Sequence, residues 1–145
     1  MLRQFLFGGF ISLINIAIHS MVMATVVGIA QRTSKTKLPY PPLFLAVVMV
    51  PIVAVLMATH TTEVMVWASA YALVDAVPKN VQLVYFAFVN YATLGYGDMV
   101  PVDRWKLLGP LTAMNGALLL GWSTAIIFEV VRQTMDRGPS TSGQR

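Results

Sequence analysis

The stretch "NYATLGYGDMVP", Asn90 to Pro101, holds two glycines two apart, Gly95 and Gly97. Tyr96 lies between them, Thr93 stands before them and Asp98 follows. Such a run cannot continue a helix, yet long hydrophobic segments flank it. What surrounds it decides what a flexible, polar backbone is doing there.

The chain has 145 residues, 57% of them hydrophobic and 11% charged. A soluble domain carries about 25% charged residues, so the deficit points to lipid as the solvent. The net charge of +4 does not indicate nucleic acid. The cations sit between and after the apolar runs, at headgroup depth, and form no basic face. There are no cysteines, hence no disulfide and no thiolate metal site. The length allows one compact membrane domain.

Phe5 to Ala30 is apolar apart from Ser12, Asn15, His19, Ser20 and Thr25, and is long enough to cross a hydrocarbon core of about 30 Å. It exceeds a signal-peptide core, and no small-residue cleavage site follows. "QRTSKTKLPYPP" comes next, with Arg32, Lys35, Lys37 and three prolines, and reads as a short basic loop. Residues 43–77 are awkward: about 35 residues, roughly 52 Å if fully helical. With Pro51 near the start and "THTTE" from Thr59 to Glu63, this is either one long tilted helix, kinked near Pro51, or two segments broken near Thr59. The last apolar run, Leu107 to Val131, is preceded by "DRWK", whose Trp105 suits an interfacial anchor.

Between these runs, Pro78 and Asn80 are helix-start residues. Val81 to Ala92 then makes about three turns, roughly 18 Å, too short to span. A half-membrane helix thus runs into a glycine-spaced segment. Irregular backbone at membrane depth is tolerated only where protein buries it or it lines a water-filled cavity. An ion is the natural partner for its carbonyls. Glycines at alternate positions let successive C=O groups turn towards one axis, because Gly reaches positive φ at little steric cost. The Thr93 hydroxyl adds an oxygen. Leu94 and Tyr96 are expected to point away from the axis and pack on the short helix. One chain supplies one side of such a cage; four copies complete it.

Thr93-Leu94-Gly95-Tyr96-Gly97-Asp98 resembles the selectivity filter of potassium channels, whose usual form is TVGYG. "GYGDMVP" is similar to the voltage-gated members. The resemblance covers residues 79–131. It implies an all-α membrane protein with a potassium-channel-like pore: outer helix 43–77, pore helix 80–92, filter 93–98 and inner helix 105–131. An extra N-terminal transmembrane helix and basic loop (1–42) precede this pore domain (43–131), and a disordered cytoplasmic tail (132–145) follows. It also implies a homotetramer in the lipid bilayer, with dehydrated potassium held at Thr93, Leu94, Gly95, Tyr96 and Gly97, and Asp98 at the outer mouth. Potassium is then the transported cargo; no organic cofactor, enzyme activity or nucleic-acid partner is expected. Leu94 replaces the usual valine, Ala92 a common threonine, and Tyr85 and Phe86 two tryptophans. A weakly selective monovalent cation channel is the close variant.

On the inner helix, Thr112, Asn115, Gly116, Leu119, Ser123 and Ile126 recur at helical spacing. Thr112, Asn115, Leu119 and Ser123 are read as pore lining; packing through small residues is the alternative. By resemblance Gly116 is a hinge. Glu129 either forms a ring of carboxylates at the inner mouth or pairs with Arg132 at i,i+3. Arg32, Lys35 and Lys37, with the arginine-rich tail, place loop and tail in the cytoplasm by the positive-inside rule. The filter mouth and the N-terminus then lie outside, although Arg3 opposes this. A small multi-pass channel with a short tail and no arginine-studded helix fits a bacterial inner membrane without voltage sensing. His60 and Glu63 share a helix face, as a proton-sensitive gating pair, half a metal site or an interhelical hydrogen bond. With Asn15 and His19 they could form a polar cluster. A membrane-embedded metal or redox protein using His19, His60 and Glu63 is the reading from a different class. A lone His-x-x-Glu falls short of a metalloenzyme, which needs three ligands.

Overall fold

A computed structural model describes residues 1–33, 41–79 and 81–135. The basic loop carrying Lys35 and Lys37, Asn80, and the tail beyond Met135 lie outside the described residues. Among the described residues four α-helices follow in order: α1 (Leu2–Thr33), α2 (Pro41–Leu73), α3 (Leu83–Tyr91) and α4 (Leu108–Met135). A short 3-10 turn, Asp103–Trp105, precedes α4. Three stretches, Leu2–Ile29, Ala46–Leu73 and Asp103–Arg132, are long and apolar enough to cross a membrane. Among the described residues there is no strand, and the fold is all-helical.

The awkward segment is one helix. Pro51 lies inside α2, and the polar "THTTE" does not break it. The threonine hydroxyls donate back to their own helix: Thr59 to the Val55 carbonyl (2.8 Å), Thr61 to Met57 (2.8 Å) and Thr62 to Ala58 (2.9 Å). No threonine hydroxyl is left to compete with the backbone ladder. α2 ends at Leu73 rather than Val77. Asp75 turns left-handed (φ 48°). Its amide donates to Ala72 (3.4 Å) and the next amide, Ala76, to Tyr71 (3.0 Å). That pair of bonds is the Schellman cap, usually built on glycine; Asp is among the few side chains that visit this region readily.

The other bounds also shift. α3 starts at Leu83 with Gln82 as its cap residue, later than 80. The segment expected to begin the inner helix at 105 first makes the 3-10 turn. α4 then runs to Met135, so residues 132–135, assigned to a disordered tail, are helical. The orphan Leu107 amide at its entry donates to the Gln4 side chain of α1 (2.8 Å). Arg3 lies over the Trp105 ring, 5.1 Å from its centroid. The start of α1 is therefore at the same end of the molecule as the segment that follows the filter loop.

Packing is layered along the helices. At that end a core of Ile11, Val64, Trp67, Tyr71, Phe86, Leu108 and neighbours joins all four helices. At the opposite end Met23, Val26, Val48, Ile52, Leu56 and Val130 form a second cluster from α1, α2 and α4. Between the two, on each long helix, sit all the buried polar residues except Thr112: Asn15 and His19 on α1, Thr59 and Glu63 on α2, Asn115 and Ser123 on α4. Lipid tails are as apolar as these cores, so the belt's hydrogen bonds, each about 0.6 kcal/mol and up to about 1.7 kcal/mol, specify how the helices pair.

Candidate functional site

The glycine-spaced loop leaves the C-terminal end of α3. The Thr93 amide donates to Asn90 (2.9 Å) and the Leu94 amide to Val89 (2.9 Å), so this helix too ends in a Schellman cap, with Thr93 at the left-handed position (φ 59°). Gly95 (φ 55°) and Gly97 (φ 76°) are left-handed as well, whereas Leu94 and Tyr96 are not among the positive-φ residues. The backbone sign thus alternates from 93 to 97. Thr93 has no glycine's freedom there, and nothing in its residue type announces the conformation. The negative end of the α3 dipole also points into this loop.

Ala92 to Asp98 are all exposed in the single chain. Leu94 is 54% and Tyr96 65% exposed, which corrects the expectation that they pack on the short helix. On α3, Phe86, Ala87, Val89 and Tyr91 are buried against the other helices, whereas Val84, Tyr85 and Phe88 stay partly exposed and Leu94 and Tyr96 do not cover them. Phe86 and Tyr71 rings meet at 5.0 Å. Tyr85 instead reaches the loop, its hydroxyl donating to Asp98 Oδ2 (3.2 Å).

The inner-helix stripe is the second correction. Thr112, Asn115, Leu119 and Ser123 are buried within the chain, not on an open face. Apart from Asn115 Nδ2, which is buried without a partner among the described residues, their polar groups have partners on other helices. Tyr71 and Thr112 hydroxyls lie 2.5 Å apart. Asn115 Oδ1 accepts from Trp67 Nε1 (3.0 Å) and Asn15 Nδ2 (3.2 Å). Ser123 Oγ lies 2.9 Å from His60 Nε2. A stripe of small and polar residues reads alike whether it faces water or a polar neighbour; the neighbours on α1 and α2 settle it. The opposite face of α4, with Ala117, Leu118, Gly121 and Ala125, is the exposed one. Gly116, expected as a hinge, packs where a Cβ would come within 2.0 Å of the Tyr91 carbonyl oxygen. Its lack of a side chain lets α4 touch the end of α3. Of the two readings of Glu129, the structure has the pair: both carboxylate oxygens accept from Arg132, at 2.8 and 2.9 Å.

The structure brings Asn15, His19, His60 and Glu63 together. His19 Nδ1 lies 2.8 Å from Glu63 Oε1 and His60 Nδ1 3.0 Å from Oε2. Asn15 Nδ2 donates to the Glu63 backbone carbonyl (3.3 Å). The Tyr91 hydroxyl donates to Glu63 Oε2 and lies 2.9 Å from His60 Nδ1. Sequence reading missed Tyr91 and Trp67 as members of this network, and Tyr71 as the partner of Thr112. Aromatics in an apolar helix look like packing, and only the meeting of helices gives their hydroxyl and indole groups partners.

A sequence model described as an ion channel matches residues 59–133, more than half of the chain. The chain belongs to that ion-channel family. The match takes in the second half of α2, α3, the loop and α4 to near its end, and leaves α1 of the channel outside. No curated protein and no solved structure matches the chain. Family membership, with three helices among the described residues long and apolar enough to cross a membrane, makes this a multi-pass membrane ion channel.

Proposed function

We propose that four copies of the chain form a potassium-selective channel, conducting potassium through the backbone carbonyls of Thr93 to Gly97. The observation that carries this reading is the alternating backbone of the loop, positive φ at Thr93, Gly95 and Gly97, seated on a helix too short to cross the membrane. Alternation of that kind turns successive carbonyls towards one side, and a ring of them can replace an ion's hydration shell. The Thr93 hydroxyl adds an oxygen at the inner end, and Asp98, held by Tyr85, stands at the outer mouth. The exposed Leu94 and Tyr96 are left to pack on neighbouring copies. The filter mouth and the N-terminus face outward and the tail lies in the cytoplasm, since the cations Arg32, Lys35 and Lys37 belong on the inner side.

The test is flux through liposomes holding the purified chain. Potassium flux that exceeds sodium flux and is blocked by barium is the expected result. Gly95→Ala should abolish it. No neighbour lies within 4 Å of a Cβ at Gly95, so the penalty is conformational. Roughly 1–2 kcal/mol per left-handed residue becomes about 4–8 kcal/mol over four copies. Equal sodium and potassium flux would favour the weakly selective variant; no flux would contradict the proposal.

A further inference from the structure

We propose that His19, His60 and Glu63 form a binding site for a zinc ion inside the helix bundle of this channel. The site is separate from the filter loop and does not depend on which ion the pore conducts. One nitrogen from each histidine and one carboxylate oxygen lie within 4.8 Å of one another. Zinc bonds of about 2.0–2.1 Å set tetrahedral ligands about 3.4 Å apart. Both histidine–carboxylate contacts, 2.8 and 3.0 Å, are already within that spacing, so small side-chain rotations seat an ion. Two imidazoles and a carboxylate are a zinc ligand set; magnesium and calcium prefer oxygen. Tyr91 Oη, 2.9 Å from His60 Nδ1, is placed to complete the fourth position.

Two further observations support the site. Glu63 is fully buried, no Lys or Arg pairs with it among the described residues, and its carboxylate meets these two histidine rings, which are positive only when protonated. The other belt side chains in contact with it, Tyr91 and Asn15, carry no charge. A carboxylate at membrane depth is costly without a positive partner, and a divalent cation supplies one. The second is Ser123. Its Oγ lies 2.9 Å from His60 Nε2 and 3.5 Å from His19 Nε2. It can accept a hydrogen bond from the Nε2–H of both rings, which is how metal-bound histidines are oriented. With an ion bound, each ring carries its proton on Nε2, facing Ser123, and turns its Nδ1 lone pair to the ion, while Tyr91 binds as the phenolate and releases its proton to the buffer. His60 is 13% exposed and the other two ligands are fully buried, so the ion enters past His60. Once bound it ties α1, α2 and α3 together, just below the residue where the filter loop begins.

The experiment is calorimetric titration of the full-length chain in detergent, after chelator treatment, with zinc chloride. One zinc per chain is expected, none of magnesium, and a higher melting temperature with zinc. Four-coordinate cobalt absorption should appear when Co2+ is the probe. His19→Gln and Glu63→Gln should lose binding, and Ser123→Ala should weaken it about 10–100-fold. His60→Gln, at the partly exposed ligand, is the variant to use if substitution of the buried ligands prevents folding. It should also lose at least tenfold in affinity. No zinc bound by the unaltered chain, or unchanged affinity in folded His60→Gln, overturns the proposal.

Discussion

Gly116 and Gly121 lie on the same helix and separate two meanings of a glycine. A Cβ at Gly116 would lie 2.0 Å from the Tyr91 carbonyl oxygen, whereas one at Gly121 meets nothing within 4 Å. Gly116→Ala should therefore destabilise the fold by about 1–3 kcal/mol, the usual cost of overpacking. Gly121→Ala should stabilise α4 by up to about 1 kcal/mol through helix propensity. Thermal denaturation in detergent measures both. A Gly116→Ala protein that melts like the parent would return Gly116 to the role of a hinge. At this scale the sequence made Gly95 and Gly97 legible, because few residues other than glycine take positive φ cheaply. It did not reveal Thr93 or Asp75, which adopt the same region as helix caps. Caps of this kind are usually marked by a glycine; here Asp75 and Thr93 stand in its place, so the usual sequence signal is missing.

The helices themselves were largely legible, since apolar runs long enough to cross a bilayer have few other uses. Their ends were not. α2 looked breakable at Pro51 and at Thr59, yet it is continuous, because the hydroxyls bond back within the helix and a membrane helix tolerates an interior proline. Pro51 is exposed and edges a shallow apolar cleft with Val26, Ile29, Val47, Val48, Ile52 and Val55. Little packing is lost on removing its ring, while the missing backbone hydrogen bond is restored. Pro51→Ala should raise stability, by at most about 3 kcal/mol, again read from the melting curve. A fall in stability would mean that a proline-dependent bend positions the cluster of Met23, Val26 and Val130. α1 stands outside the family match but is no appendage. It caps α4 through Gln4 and contributes Asn15 and His19 to the belt.

Over the whole molecule, the polar belt fixes which faces look inward and which are free. The pattern Thr112, Asn115, Leu119, Ser123 was visible in the sequence, but its direction was not, because direction belongs to the partners α1 and α2. The free face of α4 is the opposite one. The chain has no cysteine of its own, so single cysteines report cleanly. Cysteines at Gly121 and Ala125 should react with a small thiol reagent at least tenfold faster than cysteines at Thr112 or Ser123. Equal rates would mean that the buried stripe opens to water in the assembled protein. The central claim is that four chains turn the carbonyls of Thr93 to Gly97 onto one axis around an ion. Its most direct test is a structure of the assembled protein in potassium, repeated with thallium so that the ion is identified by its anomalous scattering. Four protomers are expected, with ion density on the axis ringed by those carbonyls. A monomer, or a loop whose oxygens face away from an empty axis, would contradict it.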